Sequence, residues 1–109
     1  MTFNKIRIKI VGSFCVALVD TGCSNSVLSE KLSKRLRIPV TKLEPGDIKA
    51  LFGANGNRIT IVGKASVSIK LGGLTVPYDF LVVRDLTNEL ILGYDFLNST
   101  QALINYADN

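Results

Sequence analysis

Histidine is absent from this chain. That removes Ser–His and Cys–His nucleophilic catalysis together, and leaves acid–base chemistry near neutral pH to carboxylates, lysine or tyrosine with shifted pKa values. Cysteine is scarce, with only Cys15 and Cys23. Two thiols without histidine and without Cys-x-x-Cys spacing make neither a structural zinc site nor a disulfide framework. Both read as reduced thiols of a cytosolic-type protein, and no metal or organic cofactor is expected. No stretch approaches the roughly 20 apolar residues of a membrane span, so no membrane partner is expected. No secretory signal is visible: Met1-Thr2-Phe3-Asn4-Lys5 runs straight into an alternating pattern, as at the start of a domain excised from a longer protein. Internal repeats, low-complexity segments and linkers are also lacking, and 109 residues suit one compact domain over 1–109.

The formal charge is +4, with a local basic cluster of Lys31, Lys34, Arg35, Arg37 and Lys42. This reads as the solvated face of a helix. No aromatic residues interleave with it as a stacking surface requires, so nucleic acid is not an expected partner.

Hydropathy patterning is mostly that of strands. Ile6, Ile8 and Ile10 alternate with Lys5, Arg7 and Lys9, which is a half-buried strand. After a turn at Gly12-Ser13, residues 14–19 are apolar throughout, the pattern of a strand buried on both faces. Leu28, Leu32 and Leu36 repeat at four-residue spacing behind Ser29, a suitable N-cap, and predict a short helix over 29–36 that ends before Pro39. Further strands are predicted over 48–52 and 59–62, flanking the Asn55-Gly56 hairpin signal. Others follow over 66–71, 75–83 and 89–92, with Gly72-Gly73 as a turn and Pro77 marking an edge. Residues 94–98 suit a short helical turn, and Ala102, Ile104 and Tyr106 alternate toward the end. Short strands with regular turn signals indicate a small, mostly β barrel or sandwich with one or two short helices.

The chemistry concentrates in Ala17-Leu18-Val19-Asp20-Thr21-Gly22, where a carboxylate ends an apolar strand. Burial there is expected to disfavour the charged form. Thr21 adds a hydroxyl, and Gly22 permits a tight turn. Taken alone, the tripeptide is equally a plain strand-end turn. It does not stand alone. Ser26-Val27-Leu28-Ser29 follows it, Phe52-Gly53-Ala54-Asn55-Gly56-Asn57 with Ile59 lies mid-chain, and Leu90-Ile91-Leu92-Gly93-Tyr94-Asp95-Phe96-Leu97 lies downstream. In order and spacing these three segments resemble the active-site segment, flap hairpin and apolar-apolar-Gly motif of the retropepsins. Those are the aspartic proteases of retroviruses and long-terminal-repeat retrotransposons.

The resemblance implies a small closed β-barrel that works as a homodimer, and the chemistry asks for the same partner. Aspartic proteolysis uses two carboxylates that share a proton. Of the six aspartates only Asp20 is followed by Thr-Gly, so a two-fold dimer must supply the second. By the resemblance, Asp20 activates water, Thr21 hydrogen-bonds across the axis, and Gly22 presents backbone to substrate. Gly53, Ala54 and Asn55 belong to a lid closing over the peptide. Leu18 and Ile91 line side-chain pockets, though each also suits plain core. Gly93 lets its strand pack beneath the catalytic loop. Tyr94 and Asp95 are expected to pack or cap rather than touch substrate. The implied substrate is an extended segment of a polyprotein, and the implied setting is the cytoplasm or a virus-like particle.

The chain departs from the retroviral pattern in four places. Cys23 stands where alanine is usual, Ser24 and Asn25 where acidic residues are common, and Tyr94 where arginine is. The charge pair that braces retroviral dimers is therefore not expected. Two other functions fit the composition: a retropepsin-like dimerisation or peptide-binding module without catalysis, and an RNA-binding domain resting on the basic cluster.

Overall fold

The computed structural model describes residues 4–48, 50–52 and 56–100. The first two strands, β1 (Asn4–Ile10) and β2 (Ser13–Val19), form an antiparallel hairpin in the register Ile10↔Ser13 to Asn4↔Val19. Its loop is Val11-Gly12, both at positive φ, 52° and 76°. Two consecutive positive φ values are what a two-residue hairpin turn of type I′ requires.

A loop then leads to β3 (Val27–Ser29) and directly into α1 (Glu30–Arg35). The Ser29 side chain accepts from Leu32 N, the N-cap read from the sequence. Leu32 is buried in the core, while Lys31 and Lys34 face solvent. Arg37 then takes φ 55°, and Pro39 follows.

A short hairpin, β4 (Leu51–Phe52) and β5 (Arg58–Ile59), pairs Leu51 with Ile59 and Phe52 with Arg58. The predicted strand over 48–52 is thus shorter than expected, with Ile48 outside it and exposed. Gly53, Ala54 and Asn55 lie outside the described residues, as do Ala102, Ile104 and Tyr106. Long strands β6 (Ile61–Leu71) and β7 (Leu74–Val83) form the largest hairpin, closed by Gly72-Gly73. Pro77 falls in the part of β7 paired only with β6, where its missing N–H costs nothing. Last come β8 (Leu90–Leu92) and a second helix, α2, over 94–100.

Six strands close a barrel in the order β1-β2-β8-β3-β7-β6. Inward residues of every wall meet in one core that includes Ile8, Ile10, Cys15, Ala17, Leu28, Val82, Leu90 and Leu92. Phe96 of α2 plugs it, edge-on to Tyr78 at 4.9 Å between ring centroids. One expectation is corrected here. Residues 14–19 are not buried on both faces: Phe14 is 59% and Val16 45% exposed. The hairpin has only its inner face on the core, and nothing described covers the outer one, so outward apolar residues remain in solvent.

Candidate functional site

The crossing of the barrel places Asp20. β8 lies between β2 and β3, parallel to β2 (Leu18↔Ile91, Val19↔Leu92) and antiparallel to β3 (Val27↔Ile91). The loop 20–26 joins the two strands on either side of β8, so it must arch over the end of β8. Leu90 and Leu92 are almost wholly buried and anchor that short strand. Burial of this kind contributes about 1.5–3 kcal/mol for each such side chain.

Several contacts fix the loop to what lies beneath it. Asp20 N donates to Leu92 O at 3.0 Å, and Cys23 N donates to Asp20 O at 3.1 Å. Tyr94 N donates to Cys23 O at 2.7 Å, and Gly93 N donates to the buried Ser26 Oγ at 2.9 Å. At Gly93 a Cβ would lie 2.6 Å from Cys23 O and 2.8 Å from Asn25 O. The close packing expected of Gly93 is thus backbone against backbone.

At the top of this arch the Asp20 carboxylate is half-buried, and its Oδ1 accepts Gly22 N–H at 3.0 Å. The burial expected of this side chain is partial in the single chain. Thr21 and Gly22 are exposed, and the Thr21 hydroxyl has no hydrogen bond among the described residues. Leu18 and Ile91 are cross-strand neighbours and half-buried.

Cys23 turns inward. Its Sγ donates to Asn25 O at 3.1 Å, and burial first, with the Asp20 and Asp95 charges adding to it, pushes the thiol above its ordinary pKa. Cys15, buried in the core, is pushed the same way, chiefly by desolvation. Neither thiol is activated for nucleophilic work.

Sequence reading underrated Ser26 and Asp95. Ser26 Oγ donates to Asp95 Oδ1 at 2.7 Å, so one buried hydroxyl joins the loop, the Gly93 backbone and α2. Asp95 also accepts from the Tyr78 hydroxyl of β7. A serine in the loop just before β3 carries no periodic signal, and its partner lies far along the chain. On the flank, Glu89 accepts from Val16 N at 3.0 Å and from Arg35 at 2.7 Å, tying α1 to the edge of β2.

Beside the loop is a polar cleft of about 250 Å³ bounded by Asn25, Ser26, Asp47, Lys64, Asp79 and Asp95. A larger depression of about 490 Å³ runs along β6 and β7 and includes no residue of the Asp20 loop. The Asp20 carboxylate and the contacts that clamp its loop lie outside this depression. No helix among the described residues is long and apolar enough to cross a membrane.

Known proteins share this fold. The chain is 27% identical over 110 residues to the Protein DDI1 homolog of Leishmania major, covering 99% of this chain and about a quarter (25%) of that relative's length. The crystal structure of the retroviral protease-like domain of Ddi1 from Leishmania major superposes with TM-score 0.67 at 23% identity, covering 93% of this chain and 77% of that one. EIAV protease complexed with the inhibitor HBY-793 gives TM-score 0.73 at 25% identity, with 92% and 89% covered. A retropepsin-like aspartic protease from Rickettsia conorii gives 0.60 at 21%, with 88% and 69% covered. The fold is therefore retropepsin-like. The aspartyl protease family model matches residues 6–96, from the first inward isoleucine of β1 to the phenylalanine of α2 that plugs the barrel. With every strand that frames the Asp20 loop inside that match, this chain belongs to the aspartyl protease family.

Proposed function

We propose that the chain is an aspartic endopeptidase that acts as a homodimer, with Asp20 and the partner subunit's Asp20 as its catalytic pair. The observation that carries this reading is a lone Asp-Thr-Gly carboxylate at the top of a loop clamped by β8, beside an exposed threonine hydroxyl with no hydrogen bond among the described residues. One carboxylate cannot be acid and base at once. Two that share a proton can. The ionised member takes a proton from water as its oxygen attacks the peptide carbonyl carbon, and the protonated member donates to the carbonyl oxygen. Breakdown of the tetrahedral adduct returns a proton to the departing amine and restores the shared state. Thr21 is assigned to bracing the two loops, and Gly22 to presenting backbone to the substrate.

The substrate in this reading is an extended peptide laid along the loop as an added strand. Leu18 and Ile91 form pocket walls, and the β4–β5 hairpin, with Gly53, Ala54 and Asn55, closes over the peptide. Extended segments of a polyprotein of the retrotransposon or retroviral kind are the substrate class.

The test is cleavage of a diverse unstructured peptide mixture at mildly acidic pH, comparing the chain with Asp20→Asn over a range of protein concentrations. The expected result is cleavage abolished by the substitution, a rate rising faster than linearly with concentration, and a bell-shaped pH profile set by the coupled pair. Cleavage that survives Asp20→Asn would overturn the mechanism. A dimer by sedimentation that cleaves nothing would identify a peptide-binding module instead.

A further inference from the structure

The outer face of the β1–β2 hairpin is unlike the rest of the surface. Register puts Lys5 opposite Leu18, Arg7 opposite Val16 and Lys9 opposite Phe14, and it puts Lys70 of β6 opposite Lys9. Directly paired residues share a face. Lys70, Lys9 and Phe14 thus form a row across three strands, about 4.8 Å from strand to strand. Lys5, Arg7 and Lys9 form a ladder along β1 at about 6.8 Å per step. Phe14 is 59% exposed, with the Arg7 guanidinium 4.6 Å and the Lys9 ammonium 5.1 Å from its ring centroid.

Nothing described neutralises this face. Residues 4–19 and 58–78 contain no Asp or Glu. The ion pairs of the described residues use Arg35, Lys64 and Arg84, and none uses Lys5, Arg7, Lys9 or Lys70. Of the bordering acids, Glu89 is taken up by Arg35 and the Val16 amide, and Asp79 by Ser66. Lys9 directly opposite Lys70 is a destabilising like-charge pair, and an exposed phenylalanine adds nothing to the core. The folded chain thus keeps two unfavourable features side by side.

The geometry points to single-stranded nucleic acid as the occupant of this face. Phosphates would lie along the Lys5-Arg7-Lys9-Lys70 cations, and a base would stack against the exposed ring of Phe14. A polyanion relieves the charge repulsion, and the exposed ring asks for a flat π-surface, which the bases of an unpaired strand offer and a duplex hides. The inference is independent of the proposed proteolysis.

The test is anisotropy of a labelled oligouridylate with the full 109-residue chain, titrated over a range of salt concentrations. Four neutralised phosphates predict a log–log salt slope of about −2.8. Phe14→Leu, which keeps apolar bulk but removes the π-face, is expected to weaken binding about tenfold with the slope and thermal melt unchanged. Lys9→Gln should shorten the slope by about 0.7. Lys31→Gln with Lys34→Gln, on the α1 face, should leave binding as it was. Affinity unaffected by Phe14→Leu would overturn the proposal, because the face would then be a plain electrostatic patch. Equal competition by polyglutamate would reassign it to acidic polypeptides, and binding confined to phosphatidylserine vesicles would reassign it to a lipid surface. Absence of binding at low salt would also overturn it.

Discussion

Ser26 Oγ donates to Asp95 Oδ1 at 2.7 Å across 69 residues of sequence, and through this bond the helix after β8 holds the loop that bears Asp20. The same oxygen accepts Gly93 N–H, and Ser26 is only 2% exposed. Removing the hydroxyl leaves a buried backbone donor unpaired and takes one donor from a carboxylate, a loss of about 2 kcal/mol. Ser26→Ala is therefore expected to lower unfolding stability by about that amount in urea melts. It should lower peptide cleavage beyond what the unfolded fraction explains, since the loop loses its fixed position. Asp95→Asn keeps an oxygen for Ser26 and should be milder in both measurements. Equal damage from the two substitutions would show that charge, not the hydrogen bond, is what matters.

Gly93 offers a sharper steric test. The Cβ of Gly93→Ala would sit 2.6 and 2.8 Å from two backbone oxygens, Cys23 O and Asn25 O. Neither belongs to a flexible side chain, so the loop itself must move. A cost of about 3 kcal/mol is expected from thermal or chemical unfolding, together with loss of cleavage. Wild-type stability in this variant would mean that the loop rides higher above β8 than described.

These two relationships also mark the limit of what the sequence displays. The alternation of Ile6, Ile8 and Ile10, the Ser29 cap and the paired turn glycines at 72–73 are local signals, and each appears in the structure where the residues indicate. The Asp20, Gly93 and β4–β5 segments stand out because each joins a turn residue to apolar neighbours. What is hidden is cross-strand. Ser26 meets Asp95, and Phe14 meets Lys9 and Arg7, only once the register is set. The apolar run 14–19 reads as buried on both faces because periodicity cannot reveal that no second layer covers the hairpin. The helix basic cluster lacks an aromatic in its own sequence window, while the cations of β1 acquire one from the neighbouring strand.

Val11 sits in the hairpin loop with φ 52° and is 67% exposed. A β-branched residue in the left-handed region is strained by roughly 1 kcal/mol or more, and Asn-Gly is the preferred pair for this turn. Val11→Asn, preceding Gly12, is expected to raise stability by about 1 kcal/mol. The midpoint of urea unfolding checks this, with the slope unchanged. A lower midpoint would mean that Val11 is held by packing that its exposure does not suggest.

Tyr78 supplies a spectroscopic reporter of the same network. Burial, then the hydrogen bond to Asp95 and the Asp95 charge, push its hydroxyl from the ordinary 10 up to about 12. The folded chain therefore holds this proton more tightly than the unfolded chain does. The resulting stabilisation is fully present below pH 10 and is lost as pH rises through about 12. The Tyr78 phenolate is expected to appear in the near-ultraviolet only at about pH 12 and to be missing in Tyr78→Phe. The melting temperature of the wild-type chain should fall between pH 10 and 12 more steeply than that of the variant. Asp95→Asn should bring the late phenolate earlier, because it removes the charge and weakens the acceptor while leaving the burial of Tyr78 in place. A late phenolate that persists in Tyr78→Phe would assign it to another ring and detach Tyr78 from the Asp95 network.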